Sequence, residues 1–366
     1  SLGAACDDGV VCASAGNHAQ AVAYAARERG VACVVFMPES APIAKAEATT
    51  ALGARVQLVG ETVDEALAAA RGYARAGSHA FVHPFDDPVV VAGQGGVGLE
   101  LLAQVPDLRR VVVPVGGGGL ISGVAIAVKS ARPDVEVIGV QVEACAPFPA
   151  SLDAREPVAV ASAMTIADGI AVKRPGTLTL ELIQRWVDGL VVVSEDEVAE
   201  AMVFLLERAK LVVEGAGAVG VAALLAGRAG PVAEGGGADG AMAGGAEPGT
   251  PAGGANPGTT AVILSGGNVD PGLLAQIARR HESQAGRRYV LLARLPDRPG
   301  SLALLLSLVG QLGANLLDVE HIREGFDLHV RESAVQLVLE TRGPHHAAQV
   351  QRAVRQAGYG EPIAVR

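Results

Sequence analysis

Three short loops rich in glycine and small polar residues carry the clearest chemistry in this 366-residue sequence. Each loop follows an apolar run that is typical of a buried strand. Glycines let backbone N–H groups surround an anion, and the start of a following helix adds about half a positive charge. The loops are Ser14-Ala15-Gly16-Asn17-His18, Gly116-Gly117-Gly118-Gly119-Leu120 and Ser265-Gly266-Gly267-Asn268. The tetraglycine loop therefore predicts a phosphate site, with a simple tight turn as the alternative.

Nucleotide-binding motifs fit the tetraglycine loop poorly. A dinucleotide-binding G-x-G-x-x-G motif needs a third glycine where Ile121 or Ser122 stands. A P-loop needs Gly-Lys followed by Ser or Thr, whereas Gly123 is followed by Val124. We therefore expect the loop to bind a single phosphate group.

The polar loop Ser14–His18 admits two interpretations. Ser14 or Asn17 would be suitable to cap the helix that follows, which alone is worth about 1 kcal/mol. Alternatively, the loop binds a ligand, because ligands of α/β proteins lie beyond the carboxyl ends of the strands. Three loops of this kind at strand ends favour one shared crevice.

An α/β fold is predicted by apolar runs that alternate with alanine-rich helical stretches up to about residue 280. Valine-rich strands separated by helices are typical of βαβ units in parallel sheets. The predicted helices include His18–Arg29, Ala41–Leu52, Thr62–Ala76 and Ser122–Ala131. The predicted strands are Val10–Ala13, Ala32–Met37, Arg55–Val59, Ala80–His83, Arg110–Val115, Val135–Val142, Leu190–Val193 and Thr260–Leu264.

Two further regions differ from this pattern. Residues 227–258 consist mainly of glycine, alanine, proline and a few acids, which predicts a disordered surface insertion. From Arg287 onward, the predicted order of strand, helix, two strands, helix and strand is the ferredoxin-like βαββαβ order. These elements are Tyr289–Leu295, Ser301–Leu312, Ala314–Arg323, Ser333–Thr341, His345–Ala357 and a last strand near Pro362–Val365.

Composition excludes several classes of protein. The formal net charge is −10 and no basic stripe is present, so nucleic acid is not an expected partner. No apolar run reaches membrane-spanning length, so a membrane partner is not expected either. The four cysteines form no C-x-x-C pair, which is typical of a reducing cytoplasm.

Six motifs in one order resemble those of threonine dehydratases in the tryptophan-synthase-β (fold type II) pyridoxal-phosphate family. The resemblance covers about residues 8–280. It implies a small subdomain over residues 1–84 and a large subdomain over residues 85–284, each built on a parallel sheet. The motifs are the three loops above together with Asp86-Asp87-Pro88 before Ala92–Gly95, Thr165–Gly169 and Val213–Ala218.

The resemblance implies roles for the loop residues around pyridoxal 5'-phosphate. Asn17 would contact the ring hydroxyl, Ser265 the ring nitrogen, and the N–H groups from Gly116 to Leu120 the phosphate. The loop from Ser14 through Ala15, Gly16 and Asn17 to His18 would hold the substrate carboxylate. A serine does not keep the ring nitrogen protonated, which favours β-elimination. The implied reaction converts L-threonine to 2-oxobutanoate and ammonia, or L-serine to pyruvate.

Two single positions refine this expectation. Glu214 resembles a position where relatives bind a mono- or divalent cation, although an acid at a helix start is also favoured by the helix dipole. Racemases of the family carry a serine in place of Ala15. Ala15 therefore implies dehydration rather than racemisation.

The family's Schiff-base lysine has no counterpart in this sequence. The resemblance implies a Ser-Phe-Lys-x-Arg-Gly-Ala segment about 25 residues before Ser14, and none of the four lysines stands in that context. Lys45 is predicted to be a surface charge. No catalytic residue is therefore assigned, and we expect the sequence to be an N-terminally incomplete piece. The alternatives are an inactive amino-acid sensor and a serine-preferring dehydratase. The lysines are Lys45, Lys129, Lys173 and Lys210.

The C-terminal region, residues 287–366, resembles an ACT regulatory domain through Leu295–Leu302 and Leu312–Leu316. The resemblance implies edge-to-edge pairing in a dimer or tetramer, and feedback by isoleucine or valine. We expect Asp297, Gly300 and Asn315 to contact the effector. The alternative is a dimerisation module that binds no ligand.

Overall fold

The computed structural model describes residues 8–41, 43–77, 79–161, 164–230, 258–323, 328–359 and 363–364. The chain divides into two compact units, Ser1–Asn268 and Val269–Arg366. Most of the predicted insertion 227–258 lies outside the described residues. No helix in the described ranges combines the length and apolar character needed to cross a membrane.

A four-stranded parallel sheet forms the first part of the N-terminal unit, in the order β3-β2-β1-β4. Apolar residues of β1 and β2 alternate between two cores, one that includes residues of α1 and one that includes residues of α3. Continuous apolar strands suit a sheet that helices cover on both faces. The elements are β1 (Val10–Ala13), α1 (Asn17–Glu28), β2 (Cys33–Met37), α2 (Ile43–Ala51), β3 (Arg55–Leu58), α3 (Val63–Ala76) and β4 (Ala80–Phe81).

A second four-stranded parallel sheet, in the order β7-β6-β5-β8, completes this unit. Its strands confirm the α/β prediction, and each lies within a few residues of its predicted position. The elements are α4 (Pro88–Gln104), β5 (Leu108–Pro114), α5 (Gly119–Ala131), β6 (Glu136–Val142), α6 (Pro147–Ala154), α7 (Thr177–Trp186), β7 (Gly189–Val193), α8 (Glu195–Phe204), α9 (Gly215–Leu225) and β8 (Thr259–Val262).

Helices α4 and α5 pack closely because glycine stands at their contact. A Cβ on Gly123 would lie 2.3 Å from the Val91 carbonyl oxygen, so any side chain there would separate the helices. Gly98 is similarly close to α5, with 3.0 Å to the Val124 carbonyl oxygen. This packing fixes the position of α5, whose first turn follows the tetraglycine loop.

The C-terminal unit contains an antiparallel sheet in the order β10-β11-β9-β12. The predicted βαββαβ order of elements is present. Helix α10 belongs to this unit rather than to the preceding one, because it packs against β9 and its Ile277 is buried. The elements are α10 (Pro271–Gln284), β9 (Arg288–Pro296), α11 (Ser301–Gln311), β10 (Asn315–Ile322), β11 (Glu332–Glu340), α12 (Pro344–Gln356) and β12 (Ile363–Ala364).

His83 organises the junction where the chain passes from the first sheet to the second. Its ring Nδ1 accepts the backbone N–H groups of Phe85 at 3.2 Å and Asp86 at 2.8 Å. Burial lowers the pKa of His83 to about 4, and the Arg71 guanidinium acts in the same direction. A protonated Nδ1 cannot accept a hydrogen bond, so this turn requires the neutral imidazole.

We expect the free energy of unfolding to decrease as the pH falls from about 6.5 towards 4. In this window the unfolded chain protonates His83, with its ordinary pKa of 6.5, before the folded chain does. His83→Asn should remove this contribution, because an asparagine oxygen accepts the same backbone N–H groups without titrating. Urea unfolding at pH 7.5, 6.0 and 5.0 measures the difference. If the unaltered protein and His83→Asn lost the same free energy of unfolding between pH 7.5 and 5.0, the role of His83 would be contradicted.

Candidate active site

The three predicted loops meet at one edge of the N-terminal unit. Strands β5 and β8 are parallel neighbours, with Val112 opposite Val262, so the loops that follow them lie side by side. The Asn268 side-chain Nδ2 donates to Asn17 Oδ1 at 2.7 Å, which joins the third loop to the first. The structure therefore brings together the loops that sequence alone only suggested as neighbours.

Backbone N–H groups are concentrated at the tetraglycine loop. Within the described ranges, no acceptor takes the N–H groups from Gly116 to Ile121. Gly118 has a φ of +94° and forms the N-cap of α5, a conformation that favours glycine. Free N–H groups at a helix start form an anion site. These N–H groups are available to an anion, and the phosphate site stays a prediction.

Packing around this loop leaves no space for side chains. A Cβ on Gly117 would lie 2.2 Å from the Phe85 ring, and a Cβ on Gly116 would lie 3.1 Å from Ile170 Cα. The buried Thr179 hydroxyl donates to the Gly117 carbonyl oxygen at 2.7 Å. Phe85, Ile170 and Thr179 thus hold the loop on three sides, and none of them was singled out from the sequence.

The side chain of Ser14 stabilises the turn of the Ser14–His18 loop. Ser14 Oγ accepts the Gly16 N–H at 3.0 Å, and Gly16 is the N-cap of α1 with no side-chain cap. Neither Ser14 nor Asn17 therefore caps this helix. In the part of the chain that the structure describes, the N–H groups of Ala15, Asn17 and His18 have no acceptor. These groups form a second place for an anion, such as a carboxylate.

The His18 side chain anchors this loop. Its Nε2–H donates to the Val82 carbonyl oxygen at 3.2 Å, just after β4. Burial lowers the pKa of His18, although the bond to Val82 opposes the shift. The imidazole is therefore engaged through Nε2, and the backbone N–H of His18 is the group available to an anion.

Two exposed side chains on these loops have polar groups available to a ligand. Ser265 is exposed, and its hydroxyl has no hydrogen-bond partner among the described residues. Asn17 is also exposed and uses Oδ1 to accept from Asn268, which leaves its Nδ2 as a donor. A hydroxyl and an amide can both make polar contacts to a heterocyclic ring.

Glu195 is a site-organising residue that no local sequence pattern identifies. It accepts the Thr165 hydroxyl at 2.5 Å and the Ile166 N–H at 2.9 Å. Together these bonds hold the Thr165–Gly169 motif. Glu195 follows this motif by about thirty residues, in the first turn of α8. The sequence around Glu195 therefore indicates only an acid at the start of a helix, a position that the helix dipole favours.

Glu214 lies buried beside the third loop, with 9% of the residue exposed. Its side chain is so close to Gly266 that a Cβ there would lie 2.0 Å from Oε1. Burial raises the pKa of Glu214, the Asp168 carboxylate raises it further, and Lys45 lowers it. Across the described ranges, no group of three or more His, Cys, Asp or Glu side chains is arranged to hold a metal ion. A cation at Glu214 stays a prediction that depends on other oxygen ligands.

Lys45, which is predicted to be a surface charge, forms an ion pair at the surface with the Thr165–Gly169 motif. Its ammonium lies 3.2 Å from the Asp168 carboxylate, and only 24% of its side chain is exposed. Helix α2 brings it to the Thr165–Gly169 motif of the other subdomain. Lys129, by contrast, pairs with Asp188 at 2.7 Å.

The C-terminal unit has a separate cavity of about 620 Å³. Two of the predicted effector residues, Asp297 and Gly300, lie in its wall. Asn315 does not; it stands at the far end of β10 and donates to Glu340 Oε2 at 3.1 Å. The lining instead includes His321 and Arg323, from the other end of the same strand.

Opposite charges meet in this cavity. Arg323 lies 2.9 Å from the Asp297 carboxylate. His321 Nε2 and the Ser333 hydroxyl are 2.8 Å apart. Leu302 and Leu306 complete an apolar part of the wall. The cavity can therefore offer one cation, one anion and an apolar surface to a small molecule.

Comparisons with known proteins agree with this geometry. Residues 4–236 match the family model described as pyridoxal-phosphate dependent enzyme. An L-threonine ammonia-lyase of Thermotoga maritima is 44% identical over 351 residues, which are 96% of this chain and 81% of that protein.

Solved structures give the same result. The processed threonine deaminase isoform 2 of Solanum lycopersicum has a TM-score of 0.65 at 33% identity, covering 75% of this chain and 73% of that one. Maize serine racemase has a TM-score of 0.63 at 30% identity, covering 76% of this chain and 79% of that one. The residues matched by the family model include the first sheet, strands β5 to β7 of the second sheet, and the first two of the three loops. The chain therefore belongs to the pyridoxal-phosphate-dependent enzyme family.

Proposed function

We propose that this protein is an L-threonine ammonia-lyase that converts L-threonine to 2-oxobutanoate and ammonia, with L-serine as a second substrate. The observation that carries the proposal is a pair of anion sites on neighbouring loops. One consists of the free N–H groups from Gly116 to Ile121, and the other of those of Ala15, Asn17 and His18. The bond between Asn17 and Asn268 joins the Ser14–His18 loop to the third loop, which lies beside the tetraglycine loop. The names of close relatives support the same reaction.

The residues present fit pyridoxal 5'-phosphate. Gly116 to Leu120 would bind its phosphate, because their N–H groups are free and a helix starts there. Asn17 Nδ2 would contact the ring hydroxyl, and the Ser265 hydroxyl the ring nitrogen. When bound, the cofactor supplies an electron sink for the substrate's α-carbon.

The substrate end of the site consists of backbone groups. The N–H groups of Ala15, Asn17 and His18 would bind the α-carboxylate and so orient the amino acid. Ser265 does not hold a proton on the ring nitrogen as an acid would, which favours loss of the β-hydroxyl. Ala15 presents a methyl group that cannot donate a proton, which supports deamination over racemisation. None of the four lysines is assigned the role of the attachment lysine and α-proton base.

Regulation is proposed for the C-terminal unit as an ACT domain. Its cavity would bind isoleucine or valine, with Arg323 at the carboxylate, Asp297 at the ammonium group, and Leu302 and Leu306 at the branched side chain. Gly300 would form the turn at the start of α11, because its φ of +89° is a conformation that favours glycine. Edge-to-edge pairing of such units remains part of this proposal.

Three further assignments accompany the proposal. A homo-oligomer, dimer or tetramer, is supported by the exposed apolar residues Val89, Val97 and Leu99 on α4, which a second copy would cover. Cytoplasmic location is supported by buried cysteines that stay as free thiols. A mono- or divalent cation is assigned to the vicinity of Glu214.

The reaction is tested with the protein purified from the organism that encodes it, supplied with pyridoxal phosphate. Three products are measured in parallel. They are 2-oxobutanoate formed from L-threonine, pyruvate formed from L-serine, and D-serine formed from L-serine. We expect 2-oxobutanoate as the main product and no D-serine. Faster pyruvate formation would instead indicate a serine-preferring dehydratase. Binding of isoleucine without any turnover would indicate an amino-acid sensor, and either result would refute the proposal.

The phosphate assignment predicts a specific effect of Gly117→Ala. Its Cβ would lie 2.2 Å from the Phe85 ring, so the loop must shift and its N–H groups diverge. We expect this variant to bind pyridoxal phosphate at least about tenfold more weakly, because such a factor corresponds to the loss of roughly one charge-assisted hydrogen bond. Equilibrium dialysis measures the affinity. Gly93→Ala is the control, because a Cβ there meets nothing within 4 Å on α4. Equal affinity of both variants would contradict the assignment.

The effector assignment distinguishes Arg323 from Asn315. Arg323→Gln removes the cation from the cavity, and we expect isoleucine to bind about tenfold more weakly in isothermal titration calorimetry, as for one hydrogen bond to a charged group. Asn315→Ala should leave the affinity unchanged, because Asn315 lies outside the cavity. The opposite result, with Asn315 essential and Arg323 dispensable, would place the effector elsewhere.

A further inference from the structure

Two side-chain hydrogen bonds in the described part of the chain cross from the first sheet's subdomain to the loops of the second. One joins Asn17 to Asn268 in the site itself. The other joins Lys45 Nζ on α2 to Asp168 Oδ2 at 3.2 Å, across 123 residues of sequence. The first bond belongs to the site already described, whereas the second has no assigned role.

Asp168 belongs to a loop that is held against the phosphate site. Thr165 and Ile166 are fixed by Glu195, and Gly215 packs so closely that its Cβ would lie 2.3 Å from the Ile166 carbonyl oxygen. Two residues beyond Asp168, the backbone of Ile170 lies against Gly116. A displacement of Asp168 would therefore be transmitted to the first residue of the tetraglycine loop.

A second carboxylate lies near Asp168. The side chain of the buried Glu214 is near enough to the same turn that a Cβ on Gly169 would lie 3.5 Å from Oε1. The Asp168 carboxylate raises the pKa of Glu214 and Lys45 lowers it, so all three charges interact. Without Lys45, two neighbouring carboxylates would repel each other at the base of the loop.

We propose that Lys45 is a positioning residue for the phosphate end of the site. Its ammonium holds Asp168, and through Asp168 it keeps the Thr165–Ala171 loop and Ile170 against Gly116. Lys45 acts through this loop and not on the ligand itself. The inference rests on the proposed function only in treating the tetraglycine loop as the cofactor's phosphate site.

A set of variants isolates the ion pair. Lys45→Met removes the cation, Lys45→Arg keeps it, and Lys45→Met combined with Asp168→Asn removes both charges. The control Lys129→Met deletes another lysine ion pair, the one with Asp188. Each protein is compared by equilibrium dialysis with pyridoxal phosphate at low and high salt, and by hydrogen exchange of the full chain without cofactor.

Cofactor affinity is expected to fall about three- to fivefold in Lys45→Met, the factor that a partly exposed ion pair provides. Lys45→Arg and Lys129→Met should bind as the unaltered protein does, and high salt should reduce the difference. The double variant should bind no more weakly than Lys45→Met, because the two residues act through one contact. Additive losses in the double variant would overturn the proposal.

Hydrogen exchange separates this proposal from the proposed function. Lys45→Met should accelerate exchange in residues 165–171 of the cofactor-free protein, whereas Lys45→Arg and Lys129→Met should not. Unchanged exchange in Lys45→Met would refute the positioning role even if the cofactor binds. Faster exchange in a protein that binds no pyridoxal phosphate would retain the positioning role and refute the proposed function.

Discussion

The close approach of backbone to backbone at the tetraglycine loop is the constraint on which the N-terminal unit depends. Free N–H groups can surround an anion only where no side chain intervenes, and here the loop is pressed between Phe85 and Ile170. Strand β5 delivers the loop to the sheet edge, and the tight packing of α4 on α5 fixes the helix that follows. Because every neighbour is within contact distance, a small change in any of them reaches the loop.

The same constraint explains why the site needs two sheets. The second sheet supplies one rigid anion site, the tetraglycine loop. Its parallel strands bring only the loops that follow them to the carboxyl edge of this sheet. The second anion site comes from the Ser14–His18 loop of the first sheet. The two are joined by single polar contacts, such as Asn268 to Asn17, rather than by a shared core. The relative position of the anion sites therefore depends on a few hydrogen bonds and charges.

Sequence alone was sufficient for features with a local cause. Strand β1 was predicted at Val10–Ala13, where the structure has it, because four buried residues form one uninterrupted apolar run. The glycines of the phosphate loop were recognisable for the same reason. Glu195 and Lys45 were not, because their partners Thr165 and Asp168 are 30 and 123 residues away. Asn315 stays a prediction, because it begins the strand whose other end contributes His321 to the cavity.

Both anion sites use groups that do not titrate. The donors from Gly116 to Ile121, and those at Ala15, Asn17 and His18, are backbone amides, whose charge distribution is independent of pH. The groups near the site whose pKa values are shifted, His18, His83 and Glu214, have side chains in supporting positions. Acid therefore acts on these donors only indirectly, through the turns and loops that hold the amides in place.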